Sequence, residues 1–216
     1  MIIDCISDLH GFFPTLTGGD LLIVAGDLTA THSVDELLVC VEWLEKQPYK
    51  KVVVVPGNHD SVLEKDGCLP CADYDGQIIE FLCDSGTELI TNCNRLKIWG
   101  SPWTKTFKGI NPKCTAFTLN TEEELNEKWN LIPNDIDILV THSPPYGILD
   151  ANIKEKHVGS TSLRKHFFRI KPKLHIYGHI HECGGKSIDL VSSICVNASI
   201  VNERYQHVNK PVRMIL

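Results

Sequence analysis

The chain has 216 residues, 43% hydrophobic and 22% charged, which is the composition of an ordinary soluble globular domain with one sizeable core. Its formal net charge of -6 excludes the basic footprint that holds extended nucleic acid or anionic membranes, and no run of like charges forms a tail. One domain over residues 1–216 is expected, and an anionic ligand would have to be attracted by something other than surface lysines.

The N-terminal segment MIIDCIS is apolar for too few residues to be a signal peptide or a span, and no later run approaches about 18 apolar residues, so a cytoplasmic protein is expected. The nine cysteines, an odd number scattered through apparent strands and helices, read as free and mostly buried thiols. Cys68 and Cys71 form a lone C-x-x-C that Cys83 and Cys93 could complete as a structural zinc site, although one pair without a second well-spaced pair is a weak signal. The glycosylation sequon at Asn197 is expected to be idle.

Short β-branched runs alternate with helical patterns. MIIDCIS, DLLIVAG, KKVVVVPG, DIDILVTH and KLHIYGH read as strands, and their alternation with helices argues for α/β layering. Between the second and third runs, SVDELLVCVEWLEKQ places Val34, Leu37, Leu38, Val41 and Leu44 on one helical stripe, and Ser33 with Glu36 reads as a capping box. Residues 61–80 hold several Gly, Pro and Asp and read as a variable loop. Thr121 and Glu124 repeat the capping device before EELNEKWNL, and a third helix over 160–170 ends ahead of Pro172. The last forty residues look like consecutive strands, so a mixed or doubled sheet is expected.

Every apolar run ends in groups that can bind a metal. Asp8 and His10 follow the first, Asp27 the second, Asn58, His59 and Asp60 the third, His142 the fourth, and His179 and His181 the fifth. In parallel layers all strand C-termini share one edge, where open α/β sheets bind ligands, so these residues would converge there. Taken singly, an Asp after a strand is a turn or cap residue and a lone His a satisfied core or surface residue. The pairs Asp8/His10 and His179/His181 are better signals, because period-two spacing points both side chains the same way. Five such ends in order are hard to attribute to coincidence.

The ordered motifs DLH, GD, GNHD, THSPP and GHIH resemble the signature of the calcineurin-like metallophosphoesterases. The second half, in GSPW, EKWNLIP, DILVTHSPPYGILD, PKLHIYGHIHE and VNAS, is similar to the metallophosphoesterase-domain-containing proteins, relatives of the class III cyclic-nucleotide phosphodiesterases. The resemblance implies an α/β fold of two mixed sheets in a sandwich flanked by helices, with a dinuclear metal centre. It places one metal on Asp8, His10, Asp27 and His181 and the other on Asp27, Asn58, His142 and His179, and makes His59 a catalytic histidine rather than a ligand.

Elementary chemistry agrees with that carry-over. Asp27 has two oxygens and can bridge cations roughly 3.5 to 4 Å apart. A set of carboxylates and imidazoles without thiolate suits two divalent ions of Mn, Fe, Zn, Co or Ni. Water activated by the two ions would attack phosphorus in line while His59 protonates the leaving oxygen. Asp60 is placed either to hold the His59 imidazole in one tautomer or to cap the following helix. His32, Trp103 and His157 lie in loops after signature elements and could touch a base or leaving group; His32 reads equally as a solvent residue and Trp103 as a core aromatic. The expected substrate is a small phosphodiester, cyclic or nucleotide-linked. The phosphomonoesterase alternative is disfavoured because GDLTATH lacks the arginine of the GDxxDRG pattern, which a phosphate dianion needs more than a monoanion does. A metal-binding scaffold without catalysis is the remaining alternative.

Overall fold

Each of the five apolar runs forms a strand in the computed structural model, which describes residues 1–65, 72–74, 77–90, 95–107 and 113–216. In chain order the strands are β1 (Ile2–Ile6), β2 (Gly19–Ala25), β3 (Tyr49–Val55), β4 (Ala72–Tyr74), β5 (Gln77–Phe81), β6 (Ser85–Ile90) and β7 (Arg95–Ser101). They continue with β8 (Thr104–Lys105), β9 (Thr118–Leu119), β10 (Ile138–Thr141), β11 (Leu174–Tyr177), β12 (Lys186–Asp189), β13 (Ile194–Asn197) and β14 (Val212–Ile215). The helices are α1 (Val34–Glu45), α2 (Ser61–Lys65), α3 (Glu122–Asn130) and α4 (Thr161–Ile170).

Two six-stranded mixed sheets result, in the orders β14-β1-β2-β3-β5-β4 and β12-β13-β11-β10-β7-β6. In each, four central strands are parallel and both edge strands antiparallel. The short parallel pair β8-β9 stands apart. Strands buried on both faces need unbroken apolar runs, which is why β2 and β3 read as near-continuous Leu, Ile and Val. Ile3, Ile23, Val53 and Val55 of the first sheet pack against Ile98, Ile138, Val140 and Ile176 of the second, forming the core between the sheets. Leu22, Val24, Val52 and Val54 point the other way, onto Leu37, Cys40 and Leu44 of α1. Trp129 of α3 and Leu163 of α4 cover Leu139 on the outer face of the second sheet. The fold is therefore an α/β sandwich of two mixed sheets flanked by helices.

Some local expectations change. The buried stripe of α1 is Leu37, Cys40 and Leu44, whereas Val34 and Leu38 are exposed, because the helix meets the sheet along one narrow line. Ser33 caps α1 by accepting from the Glu36 N–H, but the Glu36 carboxylate accepts from the Ala30 and Thr31 N–H groups instead of completing a box. That choice ties down the loop carrying His32. At α3 the box of Thr121 and Glu124 is complete. The expected loop at 61–80 contains α2, β4 and β5. Cys5, Cys40, Cys183 and Cys195 are buried free thiols, Cys114 is a half-buried free thiol and Cys83 is half-buried, while Cys68, Cys71 and Cys93 lie outside the described residues. Asn197 is fully buried, its amide donating to the Leu149 and Ile180 carbonyls. No helix among the described residues is long and apolar enough to cross a membrane.

Candidate metal centre

The C-terminal ends of β1, β2, β3, β10 and β11 meet along one edge, stitched by a parallel bridge between Ser7 and Ser199. Just past the strand ends the chain turns sharply. Asp8, His10, Asp27 and His179 all take left-handed backbone conformations, with φ of 55°, 43°, 55° and 67°. Side-chain-bearing residues are held there only when their surroundings over-determine them, and such strain gathers at functional sites. Backbone bonds provide the restraint: the Asp8 N–H donates to the Gly26 carbonyl, the His10 N–H to the Asp27 carbonyl, and the His179 N–H to the Asp8 carboxylate. Close approach is possible because two positions lack a Cβ. One added at Gly57 would collide with the Asp27 carboxylate, and one at Gly178 with the Asp8 carboxylate and the Ser7 hydroxyl.

Asp27 stands at the middle. Its Oδ1 accepts from the His59 N–H at 2.8 Å and lies 3.4 Å from His142 Nε2, while its Oδ2 lies 3.8 Å from His10 Nε2 and 4.0 Å from His59 Nε2. His142 Nε2 is also 3.0 Å from Asn58 Oδ1, and its Nδ1 donates to the Ala25 carbonyl at 2.9 Å, which aims Nε2 at the centre. On the other side His181 Nε2 is 3.3 Å from Asp8 Oδ1. The His179 ring sits 4.9 Å from that of His142, centroid to centroid. All seven residues expected to bind metal are thus brought together, with the two Asp27 oxygens facing opposite halves of the cluster.

The electrostatics suit cations. Burial works against ionisation of Asp8 and Asp27, but His181 beside the first and His142 beside the second outweigh it and hold both carboxyls below the usual range. Burial pushes His10 down to about 4 and His179 down to about 3, leaving neutral imidazoles at pH 7. Against burial, Asp27 lifts His142 to about 9, and Asp8 raises His181. The proton held on His142 is one that an entering cation would displace.

A direct test of fit comes from unpaired atoms. Both ring nitrogens of His10 and Nε2 of His179 are buried with no hydrogen-bond partner among the described residues. A buried polar group left unpaired costs on the order of 1–3 kcal/mol, and a cation would satisfy these. Asp8, His10 and His181 offer ligand atoms within 4.8 Å of one another, and so do Asp8, Asp27 and His142. A donor set of carboxylate, amide oxygen and imidazole fits two hard-to-borderline divalent ions.

His59 borders this cluster. Its Nε2 side faces Asp27, while its Nδ1 lies 3.3 Å from the Ala30 carbonyl and 3.7 Å from Cys114 Sγ. Asp60 does not orient that ring. Its carboxylate accepts from the N–H groups of Gly57, Leu28 and Thr29 and from the Thr29 hydroxyl, clamping the loop after β2 to the loop after β3. The side chain points back beneath the loop because the Gly57 turn places those N–H groups there, so Asp60 positions Asp27 and His59 through their backbones.

Of the three residues expected at the substrate, the structure brings one to the site. His32 stacks on His59, with centroids 5.1 Å apart and planes 7° from parallel. Trp103 is taken up by packing: its Nε1 donates to Asp84, the Lys128 ammonium lies 4.0 Å over its ring, and Phe117 meets it edge-on. The His157 imidazole is tied to Asp150 at 2.6 Å and does not line the cavity.

That cavity, of about 780 Å³, opens over the cluster and is lined by Asp27, Asn58, His59, His179 and His181 together with residues that no strand-end motif announces. Lys105 and Lys154 bring positive charge to its wall, and Glu182 and Glu203 bring negative charge. Phe107 stacks on His179 at 5.4 Å. Tyr205 presents its ring to His10 and His181 at 4.8 and 5.1 Å, and does so from a left-handed turn position, φ 57°. A non-glycine residue at positive φ is not recognisable from sequence, and Tyr205 reaches the site only because residues 199–207 fold back beside Ser7.

Comparison with known proteins adds an independent line. The family model described as calcineurin-like phosphoesterase matches residues 1–183, so Glu203 and Tyr205 lie beyond the matched stretch. Over 229 residues the chain is 35% identical to Metallophosphoesterase domain-containing protein 1 of Homo sapiens, covering 96% of this chain and 68% of that protein, and the Mus musculus protein of the same name matches equally. A UPF0046 protein of Caenorhabditis elegans is 33% identical over 222 residues, covering 96% of this chain and 72% of its own. Among solved structures, TT1561 of Thermus thermophilus superposes with a TM-score of 0.56 at 14% identity, over 91% of this chain and 88% of that one, a likeness of fold alone.

Proposed function

The chain belongs to the calcineurin-like phosphoesterase family, and from that premise we propose that it hydrolyses small phosphodiesters, cyclic or nucleotide-linked, with His59 as the general acid. The observation that carries the reading is the two-sided placement of His59: Nδ1 is held by the Ala30 carbonyl while Nε2 faces Asp27 and the cavity. Asp8, His10, Asp27 and His181 would hold one divalent ion, and Asp27, Asn58, His142 and His179 the other. When bound, the two ions polarise the phosphoryl oxygens and lower the pKa of the attacking water.

The residues themselves do the rest. With a proton on each nitrogen, His59 gives the one on Nε2 to the leaving oxygen and keeps the Nδ1 proton on Ala30, so the ring is left neutral and in place. Asp27 keeps the two halves of the cluster in register, since one oxygen faces His142 and the other His10. Phe107 and Tyr205 give the cavity flat apolar walls suited to a nucleobase or aryl leaving group. Among the described residues no arginine lines it, which supports a singly charged phosphodiester. Lys105 and Lys154 favour the second reading, a phosphomonoesterase, because they could offset a dianion.

The test is kcat/KM for bis-p-nitrophenyl phosphate and a panel of cyclic nucleotides against p-nitrophenyl phosphate, before and after chelation and Mn²⁺ readdition. Activity should vanish on chelation, return with the metal, and favour the diesters. If the monoester wins by more than tenfold, about 1.4 kcal/mol of barrier, the phosphatase reading replaces the diesterase one.

A further inference from the structure

We propose that His32, His59 and Cys114 form a third metal site, selective for soft divalent ions such as Zn²⁺ or Cd²⁺, whose occupation silences His59. The part that concerns silencing rests on the acid role given to His59 above; the binding does not. The three residues come from separate segments, yet their ligand atoms all lie within 4.8 Å of one another. Cys114 Sγ is 3.7 Å from His59 Nδ1. A tetrahedral zinc with Zn–N of about 2.0–2.1 Å and Zn–S of about 2.3 Å separates such a pair by roughly 3.6 Å, so these two need hardly move.

The third ligand is near at hand. His32 lies stacked on His59, and its Nδ1 is shielded from solvent with no hydrogen-bond partner among the described residues. Parallel rings cannot both aim a lone pair at one ion, so His32 must turn about its ring torsion, a broad and soft one. The Ala30 carbonyl, 3.3 Å from His59 Nδ1, or a water completes the shell. Cys114 and His59 line the 780 Å³ cavity, which gives the ion a way in. The donor set also separates this site from the dinuclear one, which contains no sulfur, so thiophilic ions discriminate between them.

Occupation would act through the geometry of His59. A cation on Nδ1 takes the place of that nitrogen's contact with the Ala30 carbonyl and ties the ring to Cys114 and His32. His59 is then engaged as a metal ligand and no longer serves the leaving group, while the dinuclear centre keeps its own ligands.

The experiment titrates the manganese-loaded protein with Cd²⁺, following the ultraviolet thiolate-to-cadmium charge-transfer band, bound manganese, and turnover of an alkyl diester. Cys114→Ser and His32→Asn are run beside the wild type, each normalised to its own cadmium-free rate; Asn suits the left-handed backbone at 32, φ 61°. The expected result is one added cadmium per chain, a thiolate band, retained manganese and at least tenfold loss of turnover. Cys114→Ser should lose both band and inhibition, and His32→Asn should need at least tenfold more cadmium for either. A band that persists in Cys114→Ser, or inhibition that comes with lost manganese and no Cys114-dependent band, overturns the site. A Cys114-dependent band with unchanged turnover overturns the silencing and counts against the acid role of His59.

Discussion

Asp60→Asn separates a clamp from a catalytic partner of His59. In the native site one Asp60 oxygen accepts from Gly57 and Leu28 at 2.8 and 3.2 Å, and the other from Thr29 N–H and hydroxyl, both at 3.1 Å. Asparagine keeps the shape but turns one oxygen into a donor, which leaves at least one buried N–H facing another N–H. Losing a bond to a buried charged acceptor and stranding its donor together cost about 3 kcal/mol, so the metal-loaded variant should unfold at clearly lower urea. The metal-free protein should behave differently. There burial, then the uncompensated Asp27 charge, lift Asp60 to about 6. A carboxyl raised in the folded state stabilises it fully only below its unfolded pKa near 3.8, and at pH 7 the ionised form carries a penalty of about 3 kcal/mol. Asparagine carries no such penalty, so the stability gap should close on chelation. Urea unfolding with and without Mn²⁺, beside kcat/KM for alkyl and nitrophenyl diesters, reads both effects. A metal-loaded variant with an unchanged midpoint and a selective loss on the alkyl diester would refute the clamp and put Asp60 on the His59 ring.

His59→Ala should slow an alkyl diester by about 10²-fold or more, and a nitrophenyl diester far less, because nitrophenolate leaves without protonation; equal losses would reassign His59 to electrostatic stabilisation. Gly178→Ala forces a Cβ against Asp8 and Ser7 and should weaken metal affinity by about 10–100-fold, measured by competition with a chromogenic chelator. Unchanged affinity would show that the Asp8 loop yields freely. His175 is fully buried and burial pushes it down to about 3. The unfolded chain binds that proton from about pH 6.5 downward, so stability is lost as pH falls, by about 2 kcal/mol from this residue at pH 5. The difference between unfolding free energies from urea curves at pH 7 and pH 5 should shrink by that amount in metal-loaded His175→Gln, and an identical difference would refute the assignment.

The cluster could be read from the sequence because its side chains sit where strands end, and strand ends are local features. Apolar runs of β-branched residues fix where a strand is buried, and parallel layering brings every C-terminal end to one edge, so Asp8, His10, Asp27, Asn58, His59, Asp60, His142, His179 and His181 were expected together from local pattern and spacing, while the division into seven ligands and a catalytic His59 came from the family resemblance. What each neighbouring group touches was another matter. Asp60 was legible as a carboxylate near His59, but its direction depends on the turn at Gly57 and on how closely the Asp27 loop approaches. Val34 and Leu38 of α1 look core-facing by period, yet the line of contact with the sheet leaves them exposed. Trp103 and His157 fell in plausible loops, and only their partners Asp84 and Asp150 show them to be held elsewhere. Cys114 stands 55 positions from the imidazole it touches, and Tyr205 reaches His10 through a turn brought back by the Ser7–Ser199 bridge. Periodicity specifies which face of an element is buried, but not which side chains of distant loops meet above the edge of two sheets; that is decided by how the sheets pack face to face, where every contact is long-range.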